Sequence, residues 1–339
     1  MIDRALLRKW SSKWWFHGVV LSALFFGTYF ISPNPSLPTD IIVFGLFAMA
    51  FNLTFGHTGI LSLGHGIFFG LSAYISGILM VFWQPSIWCL LPAIAIGTIL
   101  AFIVAYVCFK RVDPRDHPMY GSIFVVLITL AFLNIVYYVF LSPLKRLTGG
   151  EMGLTGISRQ LNVIGDLSIS FLSSTTVHVF VCVIAIISIL VMRGIIHSSL
   201  GNLVHAIKGN ELRVMFLGYE TFWNKVLIFT ISGFFSAVAG SLYLIRLGFV
   251  GLEVFSFFLV GDAVLVCMIG GRNTVYGPLI GAAIFVTMKD YFSYYTDMWM
   301  LIVAAVLVAF VIFLPEGILK AGEKLRQSRM RTKYSVQEK

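Results

Sequence analysis

Apolar residues run along this chain in long blocks rather than in alternation. Ile87–Phe109, Tyr120–Leu141, Val177–Met192, Val226–Ile245 and Met298–Leu314 are nearly free of charge. A helix needs about 20 mostly apolar residues to cross the hydrocarbon core of a bilayer. Continuous runs argue against spanning strands, whose residues alternate. Lipid offers the backbone no hydrogen-bond partner, so a helical bundle follows. The pattern predicts about ten spans. They lie near Trp14–Ile31, Asp40–Phe55, a third entered through Gly56–Gly70 and ending near Trp83, Ile87–Phe109, Tyr120–Leu141, Thr176–Gly194, Phe222–Ile245, Phe257–Gly271, Val275–Phe292 and Met298–Leu314. Ser142–Thr175 is weakly apolar, and the glycines within Leu147–Gly156 predict a loop or sharply bent backbone. Pro315-Glu316-Gly317 stops the last helix.

Composition sharpens this picture. Of 339 residues, 58% are hydrophobic and 12% charged, against about 25% charged in soluble domains. The formal charge of +9 raises nucleic acid as a partner, but its placement speaks for a membrane instead. If the N-terminus is cytoplasmic, inner segments hold 19 of the 24 Lys/Arg. The outer ones hold Lys145, Arg146, Arg159, Arg246 and Lys289. That asymmetry is the positive-inside pattern, and it places both termini in the cytoplasm. The seven tryptophans lie near proposed span ends, where their rings favour the headgroup zone. The N-terminal apolar run lacks a small-residue cleavage site and reads as a retained first span. The four cysteines sit in apolar runs with no Cys-x-x-Cys pair, as small apolar residues do. Residues 1–318 are expected to form the transmembrane domain, with a cytoplasmic segment at about 197–221. Residues 319–339 are a basic cytoplasmic tail.

Three constellations interrupt the apolar background. Leu200–Tyr219 carries Leu203, Ile207 and Val214 at helical spacing, with Lys208, Glu211 and Arg213 on the polar side and Gly218 placed to end the helix. It is either a solvated loop helix or a helix docked on a soluble partner. Gly56–Gly66 is rich in small and polar residues, which serve close helix packing or a backbone that lines a cavity. His57 and His65 stand eight residues apart with no Cys or acid beside them, so no metal site is expected. Gly270–Pro278 follows Asp262, an acid inside a span and therefore a functional candidate. No phosphate-cradling loop, Gly-x-Ser-x-Gly or His-Glu-x-x-His occurs, so an ATP-driven role requires a separate ATPase.

These residues resemble the permeases of branched-chain amino acid ABC importers. The likeness rests on Phe51-Asn52-Leu53 with Gly56-His57-Thr58-Gly59, Leu61–Gly66 and Phe68-Phe69-Gly70. It continues through the Thr148-Gly149-Gly150 loop, Ala206-Ile207-Lys208 with Glu211, Gly218 and Lys225, Gly270-Gly271 with Gly277-Pro278 and Gly281-Ala282, and Pro315–Ile318. The matches run in order from about Ala50 to Gly317, and the length resembles the longer of the two paralogous permeases. The chain departs from the family at Val260-Gly261-Asp262, which stands for a usual Ser-x-Glu, and at Glu151-Met152 in the loop.

The resemblance implies an all-α permease similar to the type-II importer fold, in a bacterial inner membrane. It implies a paralogous permease subunit, two cytoplasmic ATP-binding subunits and an extracytoplasmic solute-binding protein. No cofactor is bound by this chain, and ATP is used by the partner subunits. It also implies ATPase coupling through Ala206, Ile207, Lys208, Glu211 and Gly218. Asn52, Thr58, Ser62, His65 and Asp262 would line or support the solute pathway. Importers of urea and short amides share the family and remain an alternative. An ion-coupled secondary transporter, with Asp262 as its one good coupling group, is another, and a channel subunit a third. No paired acids or nucleophile with a base suggest an enzyme.

Overall fold

The computed structural model describes residues 35–110, 121–164 and 167–313, together with 17, 18, 21, 22, 25, 27, 317 and 318. Most of the first predicted span, the 113–118 loop, Pro315-Glu316 and the basic tail lie outside them. Eleven α-helices of six or more residues carry the described fold. They are α1 (Leu37–Asn52), α2 (His65–Phe82), α3 (Leu90–Lys110), α4 (Gly121–Leu141), α5 (Ser174–Ile196), α6 (Ser199–Gly209), α7 (Glu211–Phe216), α8 (Thr221–Leu247), α9 (Phe257–Gly270), α10 (Gly277–Tyr295) and α11 (Trp299–Phe313).

Six segments, including α1 through its π-helical extension, are long and apolar enough to cross a membrane, and α9 is a shorter apolar helix. The chain is an all-α, multi-pass membrane protein. Its one β element among the described residues is an antiparallel hairpin, β1 (Gln160–Ile164) with β2 (Leu167–Ser170). That hairpin lies within the weakly apolar stretch Ser142–Thr175, beyond the glycine run expected to be loop.

The spans sort by burial. α1, α2 and α8 have 83%, 67% and 78% of their apolar windows inside the protein, whereas α3, α4 and α5 have 28%, 22% and 33%. The first three are therefore the core, and the others present apolar faces outward. In lipid no hydrophobic force separates these classes, so close packing and hydrogen bonds must hold the core. α8 supplies both through small residues. A Cβ on Gly240 would stand 1.9 Å from the Phe69 carbonyl oxygen of α2, and one on Gly233 would stand 2.2 Å from Ala101 of α3. Beside that contact Ser72 donates to the Ala237 carbonyl at 2.6 Å and meets Ser241 at 2.5 Å. Phe47, Phe69 and Tyr243 fill the space between α1, α2 and α8.

Residues assigned by charge to one side of the membrane meet at one end of the fold. At the outer end Arg246 pairs with Asp40 at 3.0 Å, Arg159 donates to the Leu247 carbonyl, and the Asn162 amide donates to the Pro85 carbonyl. At the inner end the ends of α1 and α9 meet α6.

Candidate functional site

The inner end of α1 does not stop as an ordinary helix. Leu53–Thr58 continues it as a π-helix, closed by Gly59 in the left-handed region at φ 78°. Hydroxyls drive the change of pitch. Thr54 donates to the Phe51 carbonyl at 2.9 Å, and Thr58 donates to Leu53 and Thr54 carbonyls at 3.2 and 2.5 Å. Such bonds compete with the regular ladder and widen the turn. Only residues 59–64 are non-helical before α2 begins at His65. The glycine-rich segment is thus a tight inner turn flanked by helices, and Gly56 and Gly66 lie inside those helices.

Three of the proposed pathway residues fasten this turn. His65 is fully buried, and its Nε2 meets Ser232 Oγ of α8 at 2.8 Å and Thr54 Oγ1 at 3.4 Å. Ser232 donates in turn to the Ala50 carbonyl at 2.6 Å. One imidazole therefore joins α1, α2 and α8, walled by Phe51, Phe68 and Phe229. Ser62, also fully buried, accepts from the Gly64 amide at 3.3 Å. Asn52 donates to the Thr274 carbonyl at 3.0 Å, which ties α1 to the loop between α9 and α10. Asn52, Thr58, Ser62 and His65 are each 4% exposed or less.

That second loop is equally close. A Cβ on Gly56 would stand 1.8 Å from the Arg272 carbonyl oxygen, and one on Gly270 1.8 Å from the Gly277 oxygen. Gly56 thus lets the α9–α10 turn press against the end of α1, and Gly270 lets that turn close tightly on itself.

The segment expected to be cytoplasmic seats on both turns. Its expected single helix is two, α6 and α7, because Asn210 is extended (φ −163°, ψ 103°) and caps α7 by accepting from the Arg213 amide at 2.9 Å. Val204, Ile207 and Val214 are buried, while Ala206 and Gly218 are exposed. Gly218 ends the unit in the left-handed region at φ 87°. Lys208 Nζ donates to the Gly56 carbonyl and, at 2.5 Å, to Asn273 Oδ1. One ammonium on α6 therefore holds the last turn of α1 and the α9–α10 loop together. His205, one turn earlier, meets His57 with Nε2 3.1 Å from Nδ1. Glu211 of α7 pairs at 2.5 Å with Lys225 of α8, whose side chain is 6% exposed and lies over the Phe109 ring at 5.4 Å.

Asp262 stands apart from this cluster. It is half-buried in the second turn of α9, in the outer part of that helix, and Lys289 of α10 is the charge that acts on it. Of the residues expected to couple, Lys208 meets the inner turn and Glu211 meets α8, while exposed Ala206 and Gly218 and half-buried Asp262 do not join that cluster. Composition gave no reason to pair His57 with His205. An isolated lysine at the start of an apolar span was the available signal for Lys225, and a hydroxyl inside one was the signal for Ser232.

Partial desolvation against α1, followed by the positive charge of Lys208, holds His205 below its ordinary value of 6.5, although much of its side chain stays exposed. A histidine depressed in the docked state costs nothing while it is neutral everywhere, and it opposes docking once the undocked form takes up the proton. Docking of α6 should therefore weaken as pH falls through about 6.5. Hydrogen exchange across residues 199–209 should be faster at pH about 5.5 than at about 7.5 in the wild type, with a smaller difference in His205→Gln. Equal acid sensitivity in the two proteins would contradict this.

A family model described as branched-chain amino acid transport system / permease component matches residues 36–311. The high-affinity branched-chain amino acid transport system permease protein LivM of Salmonella typhimurium (strain LT2) is 24% identical over 303 residues, spanning 84% of this chain and 69% of that relative. The LivM protein of Escherichia coli (strain K12) is 24% identical over 307 residues, with the same coverage. No solved structure matches the chain.

Proposed function

Because the chain belongs to the branched-chain amino acid transport system permease family, we propose that it is the membrane-spanning subunit of an ATP-driven importer of branched-chain or related amino acids. It works with a paralogous permease, two cytoplasmic ATPases and an extracytoplasmic solute-binding protein, in a bacterial inner membrane with both termini inside. The chain needs no cofactor and has no ATPase site of its own.

The observation that carries the mechanism is the double hold of Lys208 on Gly56 and Asn273. A force applied to α6 and α7 from the cytoplasm reaches both the end of α1 and the α9–α10 loop through Lys208, and His205 on His57 adds a second contact to the end of α1. Outward from it, Phe216, Leu217 and Tyr219 are 89%, 71% and 57% exposed, a cytoplasmic apolar knob suited to an ATPase groove. ATP closes the ATPase pair, the pair displaces α6 and α7, and the inner ends of α1 and α9 shift. His65 and Ser232 carry the shift into α2 and α8. Asn52, Thr58, Ser62 and His65 thus support the pathway by holding the turn that moves, and half-buried Asp262 belongs to its outer half.

Tagged protein purified from native membranes should bring two ATPases and a second permease with it. The reconstituted complex should take up leucine only with ATP. Urea or amide uptake in place of leucine would move the substrate while keeping the mechanism. Transport by this chain alone without ATP would overturn it and make Asp262 an ion-coupling group.

A further inference from the structure

The outer end of the fold holds a small cleft that the coupling mechanism does not use. It has a volume of about 30 Å³ and opens to the outside between the N-terminal turns of α1 and α5. Arg159, Arg246, Ser36, Ser174, Phe171 and Leu172 are among its walls. Arg159 comes from the segment before the hairpin, and Arg246 from the last turn of α8.

Donors outnumber acceptors here. Asp40 accepts from Arg246 Nη2 at 3.0 Å, and the Leu247 carbonyl accepts from Arg159 Nη2 at 3.0 Å. The buried Nε of Arg246 has no acceptor. An unmet buried donor costs free energy until an acceptor arrives, more so when it is charged. The helix ends add to the field. The N-caps Ser36 of α1 and Ser173 of α5 make no side-chain capping bond, and both helix dipoles present their positive ends to this region. Arg246 pairs with Asp40, on which Lys289 and a second carboxylate, Asp290, also act, and Arg159 brings a second guanidinium to the lining of the cleft.

The space takes a carboxylate head group and leaves the rest of its molecule outside. There the rim is apolar, for Leu172 is 64% exposed beside the buried ring of Phe171. An anionic head in a cleft of guanidinium and hydroxyl donors, with an aliphatic body against a leucine, fits the carboxylate and side chain of an apolar α-amino acid whose ammonium stays outside in water. We infer that this cleft is an outer receiving site for the solute's carboxylate, contacted by Arg159 and Arg246. The inference rests on the amino acid reading above and places a first contact on the extracytoplasmic face.

The test needs neither ATPase nor transport, so it is separable from the importer reading. Leucine labelled with ¹³C at the carboxyl is mixed with the full chain in nanodiscs, and its linewidth is read by NMR. Leucinamide, which lacks the charge, and acetate, which lacks the body, are run beside it. Leucine and acetate should broaden and leucinamide should not. The broadening should be lost in Arg159→Gln, whose fold is checked by gel filtration. Arg246→Lys preserves a cation for Asp40 but removes Nε, and it should weaken the effect. Acetate broadening without leucine broadening would overturn the solute assignment. Broadening that survives Arg159→Gln would overturn the site.

Discussion

Glu211→Lys should abolish ATP-driven uptake by the assembled complex. The wild-type carboxylate sits 2.5 Å from Lys225, which is almost fully buried at the inner end of α8. Removing one member of a buried pair leaves the other uncompensated, at a cost of about 3–5 kcal/mol. Glu211 is the more exposed partner, at 24%, so the lower part of that range is expected for a neutral variant. Reversing the charge places two ammonium groups in contact and adds repulsion. α7 would leave α8, and Phe216 and Leu217 would move with it, because they lie within two residues of the end of the same short helix. The swap Glu211→Lys with Lys225→Glu restores opposite charges and should recover part of the uptake. No recovery in the swap, with both proteins assembled, would indicate that the pair has another role.

The second large effect falls on folding. Gly240→Val should remove most folded protein from the membrane. Even a Cβ would meet the Phe69 backbone oxygen at 1.9 Å, and backbone cannot turn aside as a side chain does. α2 and α8 must separate, and the Ser72 bonds to Ala237 and Ser241 stretch with them. Overpacking costs about 1–3 kcal/mol, occasionally more, and intramembrane hydrogen bonds average about 0.6 kcal/mol each. Gly240→Ala should be intermediate. The yield of monodisperse, detergent-solubilised protein and its melting temperature measure both. A valine variant that melts with the wild type would mean that the two helices are not in backbone contact.

Six of the expected spans were legible in the sequence as long apolar stretches, and each is a helix long and apolar enough to cross a bilayer, whereas the stretch expected at Phe257–Gly271 is a shorter apolar helix. The cytoplasmic segment was legible through Ile207 and Val214 at helical spacing. Its division at Asn210 was not, since an asparagine within helical periodicity signals a cap only when its neighbours are seen to bend. The hairpin was missed because its strands of five and four residues lie in a glycine-bearing stretch whose period is too short to register. Within the site, residue types were legible and partners were not. Lys208 is 152 positions from Gly56, and His205 is 148 from His57. Nothing local in a chain encodes such contacts. The small residues of 56–66 read equally as packing or as cavity lining, and burial of Asn52, Ser62 and His65 decides for a turn held by hydrogen bonds.

The central claim is that Lys208 transmits the cytoplasmic stroke to the end of α1. Its most direct test is the ratio of leucine taken up to ATP hydrolysed in proteoliposomes holding the complete complex with Lys208→Met. Methionine keeps an unbranched apolar stem as far as Cε and removes the ammonium with its donors. The predicted result is an assembled complex that hydrolyses ATP while uptake collapses. An assembled complex with an unchanged ratio would contradict the account.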